Sequence, residues 1–141
     1  MKKFSLLISL IGLSFFSGSC FFGSGSKAKV YITTDSYGGT LTVVKFLEPA
    51  ANSGTESNVY SEYTGTIVYN GWTWYIYEVS SGEYDVYVER TGTGENNGRA
   101  RINLDAKSDL NEWAAVYFDE SGNLWGEEGG GDFAPYLYNY P

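Results

Sequence analysis

Histidine is absent from the 141 residues, cysteine occurs once, at Cys20, and proline only three times. Without imidazole there is no Ser-His-Asp or Cys-His nucleophile and no His-ligated zinc. A single thiol cannot close an internal disulfide, and with Cys20 committed elsewhere no thiolate site remains. Basic residues are scarce too, 9 Lys and Arg against 17 Asp and Glu, for a formal net charge of −8. Nucleic acid is therefore not an expected partner, because binding it takes clustered cations that displace counterions, and a polybasic membrane surface is missing for the same reason. No apolar run is long enough to span a bilayer. No stretch keeps an apolar stripe at 3.6-residue spacing through three turns. The glycines of 92–98, Gly-Thr-Gly-Glu-Asn-Asn-Gly, lack the Gly-Lys-Ser/Thr ending of a phosphate loop, and Glu95 would repel a phosphate. Only enzymes built on carboxylates, Tyr, Lys or Arg survive these absences.

What is present begins with a pattern. Lys2 and Lys3 precede an apolar run from Phe4 to Phe16, the small residues Ser17-Gly18-Ser19 follow, and then Cys20. Charged, apolar and small regions in that order are those of a secretory signal. A cysteine directly after the small residues resembles the lipobox of bacterial lipoproteins. The form is the looser one that spirochaetes use, since Ser17 stands where Leu, Val or Ile is usual. The resemblance implies that residues 1–19 are removed and that the Cys20 thiol is acylated, becoming the new N-terminus outside the cytoplasm. The alternative is an ordinary cleaved signal that places a cysteine near the cut; a lone free thiol in an oxidising compartment speaks against it. Phe21 in place of Asp after the cysteine implies the outer membrane over the inner one, if the enteric sorting rule applies. Each buried methylene contributes about 0.8 kcal/mol, so two or three acyl chains hold effectively permanently. Lys2 and Lys3 leave with the leader, so 9 basic residues become 7 against 17 acidic ones, a net charge near −10.

Residues 20–28 read as the lipidated cysteine and a Gly-Ser spacer, with Phe21 and Phe22 beside the acyl group at the membrane interface. Residues 29–141 read as one domain with a Gly/Tyr-rich tail. Strand candidates are 29–34, 40–47, 64–69, 72–79, 83–90, 99–104 and 113–118, each rich in β-branched or aromatic residues and bounded by turn formers. Asn70-Gly71 is the strongest hairpin signal, because both residues tolerate the positive φ of a type I′ turn. Alternation puts Tyr84, Val86 and Val88 on one face, and likewise Ala100, Ile102 and Leu104, and Ala114, Val116 and Phe118. A single helical turn is expected from Ser108 to Glu112. Residues 48–62 read as a polar connection with one short strand near Val59-Tyr60. Residues 126–132 read as glycine-rich chain that cannot pack, and 133–141 as a closing edge strand. The fold class is all-β: one antiparallel β-sandwich of about seven to eight strands, with a barrel as the alternative.

The segment Val79-Ser-Ser-Gly-Glu-Tyr-Asp-Val-Tyr-Val-Glu89 resembles part of the small transthyretin-like and collagen-adhesin B-type sandwiches of bacterial surfaces. There a strand ends at a Gly-x-Tyr turn and the next runs with alternating valines. The resemblance covers about a dozen residues and implies fold, not activity. Lys45 is the lysine that an isopeptide bond of the kind some members carry would use; a buried unpaired amine is costly, and no such bond is expected.

Trp72, Trp74, Tyr75, Tyr77 and Trp113 form the candidate binding surface. Strand 72–79 is apolar on both faces, so one face fills the core while the other is covered or stands as an aromatic platform. Asp119, Glu127, Glu128 and Asp132 are the oxygen ligands a calcium ion would use, although their spacing fits no calcium-loop motif, and no metal or cofactor is expected. The expected function is a lipid-anchored envelope protein acting as a non-catalytic binding module for a protein or a glycan. The alternatives are a structural envelope lipoprotein with no soluble ligand and, more remotely, a carboxylate-based glycosidase. An exposed aromatic patch favours binding; buried tryptophans favour the structural reading.

Overall fold

A computed structural model describes residues 27–49, 57–105 and 112–133. The leader 1–19, Cys20, the rest of the spacer through Ser26, the helical turn expected over 108–112 apart from Glu112, and the closing strand expected over 133–141 apart from Phe133 lie outside them. Nine strands occur among the described residues: β1 (Lys27–Ile32), β2 (Thr40–Leu47), β3 (Asn58–Val59), β4 (Ser61–Tyr69), β5 (Trp72–Ser80), β6 (Gly82–Thr91), β7 (Asn97–Leu104), β8 (Trp113–Phe118) and β9 (Leu124–Gly129). They form a five-stranded sheet ordered β4-β5-β1-β8-β9 and a four-stranded sheet ordered β3-β2-β6-β7. Pairing is antiparallel except between β1 and β8, which run parallel. The protein is an all-β sandwich.

Alternation decides what lies between the sheets. Val30, Ile32, Val79, Ala114, Val116 and Phe118 come from the larger sheet, and Phe46, Tyr84, Val86, Val88, Ala100, Ile102 and Leu104 from the smaller. Asn70 and Gly71 join β4 to β5 with φ of 52° and 79°, the left-handed pair a tight hairpin needs. Tyr84 closes one end of the core, packing edge-on against Phe46 while its hydroxyl donates to the Ser80 carbonyl at 2.6 Å. β1 starts two residues ahead of the strand expected from 29, and Ala28 is already buried.

One expectation is corrected outright. The glycine-rich stretch after Trp125 does pack, because β9 runs along β8 from Leu124 to Gly129. A Cβ on Gly126 would lie 2.6 Å from Ile102 Cγ2 and 3.2 Å from the Arg101 carbonyl. The missing side chain lets β9 press against β7, where the Glu128 carboxylate accepts the Asn103 N–H. Glycine here marks a close approach between backbones.

The sandwich is thus sealed along β7 and β9. Among the described residues its opposite side stays open, since β3 covers β2 only at Phe46 and Leu47 and β4 ends the larger sheet. Each strand flanking the opening carries a bulge, in β2 between Leu41 and Val43 and in β4 between Tyr63 and Gly65. Bulges bend and twist a strand locally.

Candidate binding groove

The open side forms a groove of about 290 Å³ lined by Leu41, Thr42, Val43 and Val44 from β2, Tyr75 and Tyr77 from β5, and Tyr63 from β4. Its three tyrosine rings lead outward from the core. Tyr77 leans on buried Phe46 with ring centroids 5.9 Å apart. Tyr63 lies 5.5 Å from Tyr77 and 6.4 Å from Tyr75, and is 53 % exposed. Burial raises the Tyr77 hydroxyl above its ordinary pKa, and the neighbouring Tyr63 and Tyr75 hydroxyls raise it further. Among the described residues the three hydroxyls have no hydrogen-bond partner. The groove therefore offers ring faces, aliphatic walls and hydroxyls able to donate or accept.

The expected binding surface divides between two faces. Tyr75 and Tyr77 point into the groove. Trp72, Trp74 and Trp113 lie on the opposite face of the same sheet, in a second apolar cluster with Tyr31, Ala115, Tyr117 and Phe133. Phe133 sits at its centre, stacked on Tyr31 at 3.6 Å and edge-on to both Trp74 and Trp113 at 5.3 Å. Trp74 is 0 % exposed and Trp113 5 %, and both indole N–H groups are buried without an acceptor among the described residues. Trp74 and Trp113 are packing residues, with Trp72 at the half-buried rim.

An exposed tryptophan stands on the same outward face, on the edge strand β9 opposite Tyr117. Trp125 is 53 % exposed, and its Nε1 donates to Asp119 Oδ2 at 2.7 Å. Asp119 also accepts the backbone N–H groups of Ser121 and Asn123. The Trp125 bond is the main cause holding the Asp119 carboxyl below the usual range, followed by the Asn123 amide. That carboxylate is thus occupied, while Glu128 serves Asn103 and Asp132 lies beside Phe133 and Trp113 in a cleft of about 300 Å³. Asp119, Glu127, Glu128 and Asp132 do not converge, and no acid cluster able to hold a metal occurs among the described residues. Lys45 is exposed on the outward face of the smaller sheet, its amine 5.8 Å over the Tyr87 ring, and so lies outside the core.

Sequence reasoning missed Tyr63, Leu41, Val43 and Val44 as groove residues. Strict alternation from Ile67 and Tyr69 places Tyr63 on the tryptophan face; the bulge at Thr64 turns it to the other side, opposite Tyr77. Compared with protein-family models, curated proteins and solved structures, the chain matches none.

Proposed function

We propose that this chain is a lipid-anchored envelope protein, tethered through Cys20 outside the cytoplasm, that acts as a non-catalytic binding module for a protein partner. The observation that carries the reading is the open groove with Tyr63, Tyr75 and Tyr77 on one wall and the aliphatic edge of β2 on the other. Tyrosine contributes large, rigid contact area with a polar tip, which is why it concentrates at protein hot spots. Among the described residues no acidic, basic or amide side chain lines the groove. A glycan usually needs such groups to read its hydroxyls, so the lining favours apolar and aromatic side chains of a protein. Catalysis finds no support there either, since the groove holds no pair of carboxylates across a bond.

The burial of Trp74 and Trp113 favours a second reading, a structural lipoprotein with no soluble ligand. A photo-crosslinking amino acid at position 63 separates the two in intact cells. The binding reading expects an adduct with a protein other than the chain itself, lost when Tyr75 is changed to Ala. The same probe at Tyr60, outside the groove lining, serves as the reference. No such adduct at 63, or equal labelling from both positions, leaves the structural reading standing.

A further inference from the structure

The edges of the two sheets are not protected alike. β9 is covered by β7, and β3 begins to cover β2. Among the described residues β4 has no neighbour beyond it, and over Thr64-Gly-Thr-Ile-Val-Tyr69 it carries no charge and no proline. Ile67 is 36 % and Val68 72 % exposed, on opposite faces of the strand. A long uncharged edge with an open row of N–H and C=O groups is a template for another strand, and charge or proline is the usual defence. The one charged residue of β4, Glu62, lies at its start and faces Lys27 at 3.7 Å.

We infer that β4 pairs with β4 of a second copy of this chain, antiparallel and centred on Ile67. In that register Ile67 meets Ile67, Thr66 meets Val68 and Gly65 meets Tyr69. Each Tyr69 then stands beside a position where no side chain competes for space. β-Branched residues meet at the centre, which favours cross-strand packing. Glu62 falls beyond the partner strand's end, past its Asn70-Gly71 turn, so no like charges face each other. A two-fold axis perpendicular to the sheet makes the contact isologous, with the same strand used by both copies. Both tyrosine grooves then open on the same side, and the inner faces of β5-β4-β4-β5 form one floor between two β2 walls. Neither the tether nor the identity of the groove's partner enters this pairing.

Charge reversal at the centre tests it. The purified full chain in mild detergent should scatter light as a dimer. Ile67→Lys and Ile67→Glu should each give monomers, because like charges then meet on the axis. Mixing the two variants should restore a dimer, since Lys now faces Glu. A parent that is monomeric over a wide concentration range overturns the inference. So does a dimer that survives both variants, or a mixture that does not recover. Should either variant lose the near-ultraviolet dichroism of the parent, cysteines replace charges. In a Cys20→Ser background Ile67→Cys should crosslink to itself under mild oxidation, because directly opposed residues lie within disulfide reach, while Val68→Cys, facing Thr66, should not. Equal crosslinking of the two, or none, overturns the pairing.

Discussion

Arg90 is a charge in the wrong place by composition alone, buried to 4 % exposure with its Nε left without a partner among the described residues. Its guanidinium donates to the Gly38 carbonyl at 3.0 Å and the Thr93 carbonyl at 2.9 Å, and lies 4.2 Å over the Tyr37 ring. It therefore ties the turn before β2 to the turn between β6 and β7. Carbonyl dipoles and an aromatic face replace the carboxylate that usually accompanies a buried cation. A lysine keeps the charge but not the planar fork, so it cannot reach both carbonyls while covering the ring. Arg90→Lys should cost about 2 kcal/mol, of the size of one or two hydrogen bonds to a charged group. Urea unfolding should show a lower midpoint with an unchanged slope; a midpoint equal to the parent's would mean that the two turns hold without it.

At the scale of strands, β2 and β8 coincide with the spans expected from alternation, and β5 and β6 differ from theirs by a residue or so. That much was legible because β-branched and aromatic residues, turn formers and period-two burial all agree there. The half of the groove made by Tyr75 and Tyr77 was legible for the same reason. Tyr63 was not, because a bulge inserts one residue and reverses the face; Gly65, an isolated glycine at the start of a β-branched run, is the signal that marks it. The dryness of Trp74 was hidden as well: alternation assigns a face, but what covers that face depends on distant Phe133. The groove's own chemistry supplies a check on its geometry. Tyr77 should ionise above the ordinary tyrosine value, about 10, because burial and then Tyr63 and Tyr75 raise it. A raised folded value means that Tyr77 contributes its full stability below the unfolded value and loses it as pH climbs through the folded one. Tyr63→Phe and Tyr75→Phe should each move its titration downward, yet only partway, since burial is the largest cause. Tyrosinate absorbance during alkaline titration reads this directly; a Tyr77 indifferent to both changes would place its neighbours farther away than 5.5 Å and 6.4 Å ring contacts allow for the trio.

Among the described residues the sandwich is asymmetric: one side is sealed by β7 and β9, the other opens as a tyrosine groove beside the edge strand β4. The proposed self-association through β4 and the proposed capture of a partner in the groove would both use the open side, so the proposed tether would have to leave that side accessible. Six residues separate Cys20 from Lys27, where β1 begins. Even fully extended they reach no farther than about 25 Å, so a lipid on Cys20 would hold the sandwich close to the bilayer surface. Among the described residues no helix is long and apolar enough to cross a membrane. The acidic excess of the chain does not favour attraction to anionic lipid headgroups. Membrane residence should then depend on the acyl chains at one atom, the Cys20 sulfur. Cys20→Ser should move the protein from the membrane pellet to the soluble fraction after cell fractionation. Palmitate labelling should vanish with it, while far-ultraviolet dichroism stays that of a strand-rich domain, because the packing described here begins beyond that residue. A variant that still takes up palmitate, or that stays in the pellet without it, would mean the attachment lies elsewhere.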